Sequence, residues 1–437
     1  MRARRLRGAG WALLTMTTTA LVVAASVGTA SAAPTTELIS KNQAGQPGNG
    51  HSFFPSVSID GRFIVFRSTA GNLVPGHGAV REVYLRDRVF GSGLEVVSVA
   101  DDGSVSNGHS GNITSVSQSG RYVSFDSLGS NLVPGDTNKT FDAFLRIRGP
   151  APHTERVSIA TGGTEANGPS FAQGVSGDGR FVLFASDATN LVPNGGDTNK
   201  VTDLFVRDRA YRMTLRVNVS STGEQANNYA ADAHITPSGR YIVYRSPATN
   251  LVPGDTNGAE DVFLRDRNNI HQIERISVDS SGAQLPGGGT GPSISGDGRY
   301  VTFTGFDSHG SMQVFLRDRT AGTTRQVSLN SKGEPANSMS LRGALSDDGR
   351  YVAFESAATN LAPGITSGNQ QQIYVRDLQT GTTVLASATN SGAPGNGPSF
   401  FPTVANSGSA VFQSLAFNLA PPGQGGFGGY QIYLRNR

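Results

Sequence analysis

The chain has 437 residues with 56 glycines, 21 prolines and no cysteine, and a formal net charge of +3. Four of the 36 basic residues (Arg2, Arg4, Arg5 and Arg7) fall in the first 32 positions, so the remainder carries 32 basic against 33 acidic groups, a net −1. That balance argues against nucleic acid or an anionic membrane as partner, the lack of cysteine excludes a disulfide framework, and the Gly-, Asn- and Ser-rich composition points to short strands joined by turns.

Residues 1–32 read as a signal peptide. A basic n-region precedes an apolar, threonine-laced stretch from Trp11 to Val27, and Ala30-Ser31-Ala32 is a small-residue cleavage site. Cleavage near Ala32 would send residues 33–437 to the extracellular space or periplasm, with no membrane span after removal. Arg4-Arg5 leaves the general secretory and twin-arginine routes both open.

From residue 36 onward one unit repeats seven times. Its anchor is a Gly-Arg-aromatic step at Gly61, Gly120, Gly179, Gly239, Gly298 and Gly349, with a worn seventh copy at Gly408-Ser409-Ala410. The intervals are 59, 59, 60, 59, 51 and 59 residues, and a fixed period of this size means stacked or radial repeats. Each unit reads as four strands. Strand a ends on an apolar residue and a hydroxyl, as in Val57-Ser58. A Gly turn leads into strand b, such as Arg62-Phe63-Ile64-Val65-Phe66; strand c follows, such as Val83-Tyr84-Leu85-Arg86, and then strand d, such as Glu95 to Val99. Strands b and c are apolar on consecutive residues, so both faces must be covered. Blades of a propeller satisfy that condition.

The expected architecture is therefore all-β: a seven-bladed β-propeller of four-stranded antiparallel blades, at about 52–100, 110–160, 170–220, 229–279, 289–330, 339–388 and 399–437 plus 36–41. The seventh unit stops after strand c, whereas Thr36 to Ser40 is an orphan strand d. Pairing the first strand into the last blade closes the ring and removes both sheet edges.

The core Ser-x-Asp-Gly-Arg-Tyr-Val-x-Phe-x-Ser, complete from Ser346 to Ser356, resembles the TolB-type, WD-like propeller repeat of exported bacterial proteins. The resemblance covers nearly all of residues 36–437. It implies four-stranded blades around a central channel, commonly used for protein–protein contact. Seven units stand here where the TolB propeller has six, and no counterpart of its N-terminal α/β domain is read, so the partner of TolB is not carried over.

In such a ring the a–b and c–d turns share one rim, and the longer b–c and d–a loops share the other, where binding is expected. Six b–c loops carry Asn-Leu-x-Pro, beginning at Asn72, Asn131, Asn190, Asn250, Asn360 and Asn418; repetition suits a buried Leu plug with an Asn-closed turn. Three of these loops continue as Asp-Thr-Asn-x-x-x-Asp, giving Asp136/Asn138/Asp142, Asp197/Asn199/Asp203 and Asp255/Asn257/Asp261. Oxygen ligands at that spacing suit Ca²⁺. The same residues close turns on their own backbone, so the pattern leaves both roles open, and no cofactor is required.

Arginine recurs on strand c (Arg86, Arg146, Arg207, Arg265, Arg317, Arg376 and Arg435), followed by Asp in five units. Interblade ion pairs are the expected use. Phe53-Phe54 and Phe400-Phe401 lie in identical Ser-Phe-Phe-Pro runs of blades adjacent across the closure, and Phe171 occupies the matching place in blade 3. These five rings form a candidate ligand rim, with loop packing as the alternative. Seven histidines lack zinc spacing, no nucleophile elbow, phosphate loop or HExxH motif occurs, and the acids that break the repeat (Asp232, Asp307 and Glu334) form no evident pair. The sequence thus reads as a secreted, monomeric, non-enzymatic propeller that binds or scaffolds an extracellular or envelope protein through the loop rim. A polysaccharide-active hydrolase or lyase, and a lectin-like glycan-binding propeller, are the alternatives.

Overall fold

Each aromatic run of the repeat is a strand in the computed structural model, which describes residues 33–78, 80–89, 93–193, 196–269, 271–365, 370–420 and 428–437. The expected signal peptide at 1–32 lies outside the described residues. Pro34 to Arg437 form one compact unit built of seven four-stranded antiparallel sheets. Six are simple meanders; in blade 1 the strands a to d are Ser52–Val57, Phe63–Ser68, Glu82–Asp87 and Gly93–Val96. In blade 7, Thr36–Leu38 pairs antiparallel with Gln431–Arg435, next to Ala410–Ser414 and Ser399–Val404. The N-terminal strand therefore closes the ring, as its orphan status in the sequence demands. Inner strands of successive blades touch all the way round, that of blade 7 meeting that of blade 1.

The core lies between blades. In blade 1, Val65, Phe66, Tyr84 and Leu85 are all fully buried, so strands b and c do bury both faces. Each such side chain contributes about 1.5–3 kcal/mol of burial. Every blade also places one aromatic pair directly across strands b and c, from Phe66–Tyr84 at 5.8 Å between ring centroids to Phe412–Tyr433 at 6.1 Å.

The rim of a–b and c–d turns is uniform. Glycine is needed there twice over: Gly120 has φ +67°, and a Cβ on it would lie 2.5 Å from Cγ of Phe63 in the preceding blade. Gly179, Gly239, Gly298 and Gly349 abut Tyr122, Phe181, Tyr241 and Tyr300 in the same way. In five blades the arginine after the glycine makes a bidentate pair with the strand-c aspartate of its own blade, as Arg62 does with Asp87 at 2.8 Å through both Nε and Nη2 and Arg180 with Asp208.

This corrects the role expected for the strand-c arginines. Arg376 reaches into the preceding blade, but it donates to the carbonyls of Leu329 and Asn330; Arg435 likewise donates to those of Ala388 and Thr389. Among the described residues only Arg146 keeps the expected role, reaching Asp101 of the preceding unit at 3.8 Å; the other interblade ion pairs are made by the arginine two positions later, Arg148 with Glu95, Arg209 with Glu155 and Arg319 with Glu274. A guanidinium deep in the seam finds unpaired carbonyls at the end of a short outer strand, whereas the carboxylates sit where water still reaches them. The worn seventh copy is a hairpin one residue shorter: the Ala405 amide bonds to the Ser409 carbonyl, where Ser346 bonds to Tyr351.

The opposite rim is stapled. Asn72 accepts from the Asn49 amide and donates to the Pro47 carbonyl, tying the b–c loop to the preceding d–a loop. The other five asparagines repeat this, and the adjacent Leu73, Leu132, Leu191, Leu251, Leu361 and Leu419 are buried. Blade 5 lacks the motif: there Tyr300–Phe306 turns directly into Met312–Asp318.

Candidate functional site

Variation is concentrated on the inner strands, near the loop rim. Every strand a carries a register shift in its pairing with strand b, such as that between Phe53 and Ser56 or between Phe400 and Thr403. A bulge re-aims the local side chain. Glycine takes the left-handed conformation in two of them, Gly111 and Gly291, but Phe54 (φ +50°), Asp232 (+49°), Arg342 (+52°) and Phe401 (+53°) adopt it in four others. For a Phe this is a strained state, costing on the order of 1–3 kcal/mol.

Four of the bulges are held by side-chain acceptors that the sequence reading did not single out. They are Asp126, Thr304, Glu355 and Gln413, all at one position of strand b, between its last aromatic and the following Ser or Gly, where Arg67, Ala185 and Arg245 stand in the other three blades. Gln413 accepts from the Phe54 amide at 3.0 Å, Glu355 from that of Phe401 at 2.7 Å, and Thr304 from that of Arg342 at 3.3 Å. Asp126 accepts from the amides of Asn112 and Ile113, both at 3.1 Å. The signal was available as a position of a strongly repeated run that takes six residue types in seven units.

Burial sets the charge state of these acids. Fully enclosed, Asp126 is pushed up to about 6 despite its three donors. Burial likewise raises Glu355 to about 7, opposed by the Phe401 amide and by Arg342.

The structure brings four of the five candidate rings together. Phe54 and Phe401 meet edge to face at 4.4 Å, and Phe53 and Phe400 both lie against Tyr430, at 5.3 and 6.3 Å. His51 stacks on Phe53 at 5.5 Å. Arg67 lies over Phe54 at 4.4 Å, and Arg342 over Phe401 at 4.2 Å. All four rings remain partly exposed. Phe171 stands apart, packed on Phe141 at 5.4 Å.

The three Asp-Thr-Asn loops each gather their residues around an arginine of strand d. Arg156 contacts Asp136 at 3.9 Å, Asp142 at 3.3 Å and also Glu165. Arg216 meets Asp203 at 2.9 Å, and Arg275 meets Asp255 and Asp261 at 3.3 and 3.5 Å. In blades 3 and 4 a glutamine amide fills the remaining space: Gln225 donates to Asp197 and Asp203, and Gln284 to Asp255 and Asp261. Asn138, Asn199 and Asn257 donate to the second Asp of their loop and close an Asx turn with their oxygens. Blade 2 differs in having a third carboxylate, with oxygens of Asp136, Asp142 and Glu165 all within 4.8 Å of one another. A cation there must contend with a guanidinium already among the carboxylates. The donor set suits Ca²⁺ in charge only in blade 2, and burial raises Asp142 to about 6.

The repeat-breaking acids are also tied down. Asp232 pairs with Arg245 at 2.6 Å, and Arg245 also pairs with Glu260, which accepts from the Tyr229 hydroxyl. Asp307 caps the blade 5 hairpin by accepting from the amides of His309 and Ser311. Glu334 accepts from Asn330.

No family model matches the chain, and no curated protein matches it. Solved structures do. The β-propeller domain of the Trilobed protease from Pyrococcus furiosus, described as having an open velcro topology, is similar at 10% identity and a TM-score of 0.51, over 84% of this chain and 89% of that one. Acylaminoacyl peptidase from Pyrococcus horikoshii matches at 10% identity and a TM-score of 0.50, over 88% of this chain and 51% of its own. TolB from Acinetobacter baumannii matches at 15% identity and a TM-score of 0.41, over 78% of this chain and 64% of its own, so the chain spans less than two thirds of that protein. The fold is a seven-bladed propeller. At such identities the likeness speaks to the fold alone.

Proposed function

We propose that the protein is an exported, non-enzymatic binding or scaffolding propeller that takes a protein partner on its loop rim. The observation that carries this reading is the aromatic cluster of Phe53, Phe54, Phe400, Phe401 and Tyr430, partly exposed and spanning the ring closure. Two of its rings are set by strained bulges whose amides are pinned by buried acceptors, an arrangement that fixes aromatic anchors before a partner arrives. Asp126, Asp232, Glu260 and Glu355 are each tied to an arginine or to backbone amides. That argues against a facing carboxylate pair of the kind a glycoside hydrolase uses. The peptidases among the similar structures bring no activity to this chain, because their likeness is one of fold.

The test is capture of envelope and culture-medium proteins by the wild type, by a Phe54→Ala/Phe401→Ala variant, and by a turn-rim control, Arg121→Glu. A partner retained by the control and lost by the double variant is the expected result. Equal capture by all three, or release of products from proteins or polysaccharides in the same fractions, overturns the reading.

A further inference from the structure

Most arginines near the loop rim face an acid: Arg156 has three, Arg245 two and Arg342 one, Glu355. Arg67 and Arg81 do not. Arg67 donates to the Gly111 carbonyl at 3.1 Å and to Asn112 Oδ1 at 3.3 Å. Arg81 donates to the Ser110 carbonyl at 3.0 Å and to the same Asn112 oxygen at 2.9 Å. Two guanidinium groups thus converge on one neutral amide, and among the described residues neither has a carboxylate within ion-pair distance. Asp126, whose charge acts on both guanidinium groups, is enclosed and spends its oxygens on the Asn112 and Ile113 amides and the Asn112 side chain. Arg67 Nε is buried and has no hydrogen-bond partner. Desolvation and then the neighbouring Arg81 pull the Arg67 guanidinium down to about 10, the mark of two like charges held together out of full solvent.

The pair adjoins the aromatic cluster. The Arg67 guanidinium lies 4.4 Å from the Phe54 centroid and 5.4 Å from that of Phe53, and both arginines are partly exposed. A planar guanidinium whose face rests on a ring still presents its N–H edge, and a carboxylate is the group that matches this edge in charge and geometry.

We propose that Arg67 and Arg81 form a carboxylate subsite beside the Phe54 ring, so that the partner segment taken by the rim carries an Asp or Glu side chain next to an apolar residue. This rests on the rim-binding reading above and adds the chemistry of the segment. The carboxylate adds the directly paired counter-charge that the enclosed Asp126 supplies only from a distance, and the apolar neighbour covers Phe53, Phe54 and Phe401.

Random heptapeptides displayed on phage through their C-termini, and so without a free terminal carboxylate, are panned on the protein. Enriched peptides are synthesised with amidated ends for calorimetry. Sequences pairing Asp or Glu with Phe, Tyr or Leu are expected. Their affinity should fall about tenfold in an Arg67→Gln/Arg81→Gln variant and at high salt. Replacing the peptide Glu by Gln should cost the wild type the same factor and the variant nothing more; this arm leaves the wild-type fold untouched. Peptides that lack an acid, lose affinity on Phe54→Ala and ignore the arginine variant overturn the subsite while leaving the rim reading intact. Peptides indifferent to both variants, or no enrichment at all, overturn both.

Discussion

The two rims of the propeller are built from the same repeat to opposite ends. On the turn rim the same contacts recur: a left-handed glycine against the preceding aromatic, a bidentate Arg–Asp pair in five blades and an arginine reaching for a glutamate across four seams. On the loop rim the backbone recurs, with a bulge in each inner strand, but the residue that faces it changes from Arg to Asp, Thr, Glu or Gln. Identity of sequence marks the positions that must fit a neighbouring blade. Diversity at a fixed backbone position marks the places free to be shaped for a ligand.

The largest effect is expected where the loop rim holds a charge network. Arg156, 11% exposed, is the sole cation beside Asp136, Asp142 and Glu165 among the described residues. Arg156→Gln should cost about 3–5 kcal/mol at neutral pH, since it leaves buried carboxylates uncompensated. Calcium should restore much of that loss in the variant and change the wild-type melting temperature by about 1 °C or less; chemical and thermal unfolding with EDTA and with millimolar Ca²⁺ read both. A wild type stabilised by calcium, with the gain abolished by Asp136→Ala, would show that the ion rather than the arginine organises the loop.

The contrast sharpens between two glycines of similar backbone, one in an a–b turn and one in a d–a loop. Gly120 has φ +67° and the Phe63 ring 2.5 Å from where a Cβ would stand, whereas Gly103 has φ +85° with nothing within 4 Å. Gly120→Ala should cost about 2–4 kcal/mol, combining left-handed strain with overpacking of a buried ring. Gly103→Ala carries the strain alone, about 1 kcal/mol. Equal losses in urea denaturation would mean that the blades can part to admit a methyl group, and that the seam is not the rigid element.

Most of the fold was legible because the period, the turn glycines and the two-sided apolar strands all express one requirement, packing between blades. The closing strand was legible too: Thr36 to Leu38 has no partner in its own unit, and Gln431 to Arg435 lacks an outer neighbour. The destination of the strand-c arginines was not, since a carbonyl at the end of the preceding blade's outer strand leaves no trace in residue type. Of the candidate rings, Phe53, Phe54, Phe400 and Phe401 could be matched by their duplicated run. Phe171 carries the same position but finds Phe141 beside it, a neighbour set by the b–c loop of blade 2. The acceptors Glu355 and Gln413 were hidden because each serves a bulge in the next blade.

Glu355 offers the most specific test of that hidden layer. It is 2% exposed, accepts from the Phe401 amide, and is raised by burial from 4.5 to about 7. A carboxyl whose folded pKa lies above its unfolded value stabilises the fold fully below the unfolded value, and that contribution disappears as pH rises through the folded one. Wild type should therefore lose stability between about pH 4.5 and 7 relative to Glu355→Gln, which keeps an oxygen for the Phe401 amide but has no proton to lose. The variant should match wild type near pH 4.5 and exceed it by about 3 kcal/mol at pH 8, by chemical denaturation across that range. A constant difference at every pH would mean that Glu355 does not change protonation on folding. The strained Phe401 would then be held by geometry alone.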